Sequence, residues 1–86
     1  MPDPNYVLEA WDEYRLAQNA LTDAIQAKIY PTKVAQNVYR FGLGCMGLGR
    51  MRAALDEGNA AIARQEAENA RDDFIMVQNR LEALTR

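Results

Sequence analysis

Apolar residues recur at alternating steps of four and three along most of this chain. That spacing puts them on one side of an α-helix. The first series is Val7, Trp11, Tyr14, Gln18, Leu21, Ile25 and Lys28. Ala10, Ala17 and Ala24 widen it on one side, and Gln18 is a polar member that either fixes register or lies at the edge. The second series is Val34, Val38, Phe41, Cys45 and Leu48, broken at Arg52 and resumed at Leu55. The third, Ala60, Ala63, Ala67, Ala70, Phe74, Val77, Leu81 and Leu84, runs without a miss. No strand is predicted.

Local signals divide the series into elements. Asp3 before Pro4 suits an N-cap followed by the first helical residue. Pro31 lacks an N–H and drives Tyr30 out of the helical region, so the first helix should stop near Ile29–Tyr30 and Thr32 should cap the second. At Asp56-Glu57-Gly58-Asn59 the periodicity slips by one residue, with Gly58 placed to end a helix and Asn59 to cap the next. The fold class expected is all-α: one domain over residues 1–86, an antiparallel bundle with helices at about 4–29, 32–56 and 60–85. The alternative is a helical hairpin whose continuous second arm would reach roughly 80 Å, with a stutter in place of the turn. Either form is expected to be oligomeric.

The reason lies in composition. A chain of 86 residues buries only roughly 60–65% of the surface its unfolded form exposes. Hydrophobic residues make up 49% of the sequence, but 14 of them are Ala. Alanine favours helix and close helix approach over a thick core. Against that background, Phe41–Met51 (Phe-Gly-Leu-Gly-Cys-Met-Gly-Leu-Gly-Arg-Met) is unusual. Each of its four glycines, Gly42, Gly44, Gly47 and Gly49, costs a helix about 1 kcal/mol relative to Ala. At 100° per residue Gly42 and Gly49 lie on one flank of the second series and Gly44 and Gly47 on the other, so two neighbouring helices are expected to approach closely. Leu43 and Met46 point away from the series. A helix that is apolar all round is normally buried on every side, and two short flanking helices supply too little cover.

Three readings follow for this segment. It is a helix buried in a homo-oligomer or against a partner protein, a glycine-rich hinge, or a membrane-surface contact with Arg40, Arg50 and Arg52 reaching headgroups. Its Gly-x-Gly-x-x-Gly pattern would hold a phosphate only between a strand and a helix, and no strand precedes it. The expected interface residues are Phe41, Gly42, Leu43, Cys45, Met46, Leu48, Gly49 and Met51. Trp11 and Tyr14 are secondary anchors, because aromatic residues dominate interface hot spots.

Charge adds a second pattern. Residues 1–27 carry a net −4, residues 28–52 a net +5 and residues 53–86 a net −3. A basic middle between acidic ends suits a chain folded back on itself twice, with internal charge complementarity. Lys28, Lys33, Arg40, Arg50 and Arg52 are also the candidates for an anionic partner. Tyr30 and Tyr39 interleave with them, but acidic helices on both sides would repel a phosphate backbone, so nucleic acid is not favoured. The pairs Glu68–Arg71 and Glu82–Arg86 have helical spacing.

Catalytic chemistry is sparse. The sequence contains neither His nor Ser, which removes Ser–His and Cys–His hydrolysis and every His-ligated metal site. The acids at Glu9, Asp12 and Glu13, and at Glu66, Glu68, Asp72 and Asp73, lack the Glu-x-x-His motif of di-metal bundles and read as solvated faces. Cys45 cannot form an intrachain disulfide and reads as a small hydrophobe. No enzyme activity, cofactor or metal is expected. The chain shows no signal-peptide pattern and no apolar run long enough to span a bilayer, so the cytoplasm or an assembled particle is the expected location. The functional expectation is a structural or adaptor protein that self-associates by helix packing, of the kind found in phage particles and secretion-type assemblies. The alternatives are a small inhibitor that binds a host enzyme through its acidic helices and a peripheral membrane protein that uses the basic middle.

Overall fold

The computed structural model describes residues 3–85, of Thr85 the backbone alone. Three α-helices account for nearly all of them: α1, Asn5–Gln26; α2, Pro31–Asp56; and α3, Ala60–Thr85. The molecule measures 43 × 19 × 16 Å. Its long dimension is close to the roughly 39 Å of a single 26-residue helix, so consecutive helices reverse direction. The continuous second arm is thereby ruled out, and Phe41–Met51 is helical throughout rather than a hinge.

Both reversals use the same hydrogen-bond device. At the end of α2 the Gly58 N–H donates to the Leu55 carbonyl (3.0 Å) and the Asn59 N–H to the Ala54 carbonyl (2.8 Å), with Gly58 at φ 77°. This is the paired closure that a left-handed residue permits after a helix. Asn59 then caps α3: its Oδ1 accepts from the Ile62 N–H at 3.2 Å. At the end of α1 the Lys28 N–H donates to the Ile25 carbonyl and the Ile29 N–H to the Ala24 carbonyl, both at 3.1 Å. Here a lysine, Lys28, takes the left-handed position at φ 56°. The helix therefore ends at Gln26, before the Pro31 signal acts.

Two expected caps move. Pro4, not Asp3, is the N-cap of α1, and no side chain bonds there. Asp3 instead lies 3.8 Å from Arg52. Pro31 occupies the first turn of α2, where a missing N–H costs nothing, so Tyr30 is the cap and Thr32 falls inside the helix.

The core is lined largely by small residues. On α3 the buried residues are Ala63, Ala67, Ala70, Phe74, Val77 and Leu81, as the third series predicts, while Ala60 is exposed and Leu84 half-buried. On α1 the buried line is Val7, Ala10, Ala17, Leu21 and Ala24, whereas Trp11, Gln18 and Ile25 are exposed. Gln18 thus lies at the edge. On α2 the buried residues are Asn37, Gly44, Gly47, Leu48, Met51 and Ala54, and Val38 is exposed. The buried arcs of α1 and α2 are therefore turned toward their small residues. The physical reason is helix spacing. Axes approach to about 8 Å only where the contact residues are small, so alanine and glycine take the centre and bulkier residues the rim. The buried polar exception, Asn37, donates from Nδ2 to the Lys33 carbonyl at 2.8 Å.

Candidate functional site

The middle of α2 has two sides. The inner side meets α3. A Cβ built on Gly44 would lie 2.6 Å from Cε1 of Phe74, and one on Gly47 would lie 3.1 Å from the Ala70 Cβ. Gly44 therefore makes room for a phenylalanine that is fully buried. Ion pairs bracket this contact: Arg40 to Asp73 at 3.2 Å and Arg50 to Glu66 at 2.9 Å. Half-exposed pairs of this kind contribute up to about 1 kcal/mol each, and they also fix how α2 lies along α3. Beside the glycine notch four rings join the three helices. Tyr14 stacks on Phe41 (5.4 Å) and meets Phe74 edge-on (5.7 Å), Phe41 leans on Phe74 (5.4 Å), and Trp11 meets Tyr14 edge-on (5.4 Å).

Among the described residues nothing packs on the outer side at Gly42 and Gly49, while at Ala35 it shares a shallow depression with Ile25, Lys28 and Ile29 at the end of α1. Apart from the backbone of α2 itself, no atom of the described residues lies within 4 Å of a Cβ built on Gly42 or on Gly49. Tyr39 is 71% and Met46 60% exposed. Ala35, Gly49 and Ala53 are exposed as well, and Gly42 is half-exposed. Together Ala35, Tyr39, Gly42, Met46, Gly49 and Ala53 follow steps of four, three, four, three and four, within an arc of about 80° centred opposite Gly44. This is a second helical series, entirely uncharged, on the solvent side of α2. It is the seam spacing of a coiled coil.

The expected interface residues separate across these two sides. Gly42, Met46 and Gly49 lie on the open side. Leu43 and Cys45 are half-buried beside it. Leu48 and Met51 are core residues, 4% and 0% exposed, and so are not available to a partner. Phe41 is half-buried in the ring cluster together with Tyr14, whereas Trp11 remains 46% exposed. The glycine flanks were expected to face two neighbouring helices; only Gly44 and Gly47 face one. Sequence reasoning overlooked Ala35, Tyr39 and Ala53. Their spacing was the available signal, but alanine, glycine and tyrosine do not stand out as hydrophobic.

The basic middle is largely engaged with the chain's own acids. Besides Arg40 and Arg50, Arg52 approaches Asp3, and on α3 Arg71 approaches Glu9 at 3.5 Å. Lys28 and Lys33 form no ion pair among the described residues. Glu68 pairs with Arg64 at 3.0 Å rather than with Arg71, and Arg86, the expected partner of Glu82, lies outside the described residues. Among the described residues no group of acids and cysteine is arranged to hold a metal ion, and no helix is long and apolar enough to cross a membrane. Burial pushes the Cys45 thiol above its ordinary value, which disfavours the reactive thiolate near neutral pH. No family model matches the chain, and neither a curated protein nor a solved structure does.

Proposed function

We propose that this chain is a non-enzymatic assembly protein, a structural or adaptor subunit that self-associates through the outer side of α2 and so builds into a larger complex of the phage-particle or secretion type. The observation that carries the reading is the uncharged series Ala35, Tyr39, Gly42, Met46, Gly49 and Ala53 on a helix that is otherwise well packed. Glycine within a helix weakens it by about 1 kcal/mol relative to Ala. The fold recovers that cost at Gly44 and Gly47 through contact with α3. At Gly42 and Gly49 it recovers nothing within one molecule. A second helix seated on those glycines would make them useful, because small residues let helix axes approach closely. The engagement of Arg40, Arg50 and Arg52 by internal acids weighs against the anionic-surface alternative.

The test is mass in solution. Sedimentation equilibrium from micromolar to millimolar concentration is expected to show reversible association of the wild type. The variant Gly42→Gln/Gly49→Gln, which fills both notches without adding apolar surface, is expected to stay monomeric with undiminished helicity by circular dichroism. A wild type that is monomeric throughout overturns the reading. A variant that associates as the wild type does removes α2 from it.

A further inference from the structure

We infer that the occupant of the outer side of α2 is the same helix of a second copy, running antiparallel, with the two-fold axis passing beside Gly44. The inference rests on the self-association reading and specifies its geometry.

Side-chain size selects the orientation. In an antiparallel pair centred on Gly44, residues equally far from the centre on opposite sides come level with each other. Met46 of one copy then meets Gly42 of the other, Tyr39 meets Gly49, and Ala35 meets Ala53. Every layer joins a large residue to a glycine or two alanines, so the layers have similar width and the axes stay close along their length. A parallel, in-register pair would set Tyr39 against Tyr39 and Met46 against Met46, with Gly42 against Gly42 and Gly49 against Gly49 between them. Those layers alternate between overfilled and empty. Both pairings are two-fold symmetric, so side-chain size and not symmetry separates them.

Charge points the same way through different residues. α2 has no acid in its first turn, no base in its last and no side-chain cap at its start. Its C-terminal end instead carries Asp56 and Glu57, which oppose the helix dipole and form no ion pair among the described residues. Its N-terminal end has the positive end of the dipole and, beside it, Lys28, which shares a shallow depression with Pro31 and Ala35. Lys28 is likewise without an ion pair. Within one molecule Lys28 follows the end of α1 and Asp56 and Glu57 precede α3, so each suits the dipole of a neighbouring helix, but none of the three has a charged partner among the described residues. In the antiparallel pair, Asp56 and Glu57 of each copy come level with the Lys28–Pro31 end of the other. Opposite charges then meet at both ends while the uncharged series fills the middle.

Cysteine pairing tests the geometry. In a Cys45→Ala background, Ala35→Cys and Ala53→Cys are made as separate variants and oxidised with diamide, singly and mixed. Across a close antiparallel contact, residues 35 and 53 are about 4–6 Å apart between Cα atoms, within disulfide range. The two copies of residue 35 are about 27 Å apart. The mixture is expected to give the mixed covalent dimer about tenfold faster than either variant alone gives a like dimer, because the contact raises local thiol concentration. Faster like-dimers overturn the inference in favour of a parallel pair. Equal slow rates with a dimeric mass in sedimentation overturn the orientation and leave self-association standing. Equal slow rates with a monomeric mass overturn both. Circular dichroism of each variant confirms that the fold is intact.

Discussion

The two pairs of glycines in α2 sit within eight residues of each other, yet they have opposite surroundings. A side chain at Gly44 would strike the Phe74 ring and one at Gly47 would press on Ala70, while side chains at Gly42 and Gly49 would enter open solvent. The inner pair is explained by folding: it lets α3 come close enough to bury Phe74 completely. The outer pair weakens the helix and allows no close approach by any other element among the described residues. A fold selected for stability alone would carry alanine there. This difference is what the proposed self-association through the outer side of α2 would explain.

The largest expected effect tests the inner side. Phe74→Ala empties the centre of the ring cluster and should destabilise the fold by about 3–5 kcal/mol in chemical denaturation. Next, Gly44→Ala forces a Cβ against that ring. Overpacking of about 1–3 kcal/mol exceeds the roughly 1 kcal/mol gained in helix propensity, so net destabilisation is expected. Combining it with Phe74→Leu should relieve the clash, giving a loss smaller than the sum of the two single losses. Additive losses would break the link between this glycine and this ring. On the outer side the sign reverses. Gly42→Gln and Gly49→Gln should each stabilise the dilute protein by about 0.5 kcal/mol, because propensity improves with nothing to collide with. A loss at either position would erase the distinction between the two sides. The smallest effect is chemical. Cys45 should react with iodoacetamide more slowly than a free thiol near neutral pH, since burial raises its pKa. The rate should fall further as protein concentration rises and a second copy covers that region. Above the unfolded thiol's value the same shift works against the fold, because the unfolded chain ionises first, so stability should fall slightly at alkaline pH.

How far the sequence discloses this arrangement depends on the helix. In α3 the small and the bulky members of the periodic series share one arc, so the series from Ala63 to Leu81 coincides with the buried face, and Ile62, Ile75 and Met76 fall outside both. In α1 and α2 the small and the bulky residues do not share an arc. Trp11, Ile25 and Val38 belong to the apparent stripes and lie at the surface, while Ala10, Ala17, Gly44 and Gly47 take the contact. Periodicity weighted by hydrophobic size finds the rim of a tightly spaced helix pair rather than its centre. The turn at Gly58 was readable because only glycine adopts its conformation freely. The turn at Lys28 was not, since a lysine gives no sign of a positive φ. The partners of Arg40, Arg50 and Arg52 followed in sign from the charge blocks. Their identities depend on how α2 lies along α3, which the inner glycines and Phe74 set.

The contrast between the two glycine pairs is tested most directly by thermal unfolding of the wild type and Gly42→Gln/Gly49→Gln across a range of protein concentration. In dilute solution the variant should melt higher, by about 4–8 °C for a combined gain near 1 kcal/mol. The wild-type midpoint should climb with concentration as association stabilises the folded state, and the variant's should stay flat. A wild-type midpoint indifferent to concentration, or a variant that climbs in step with it, would contradict the claim that the outer side of α2 is shaped for a second helix.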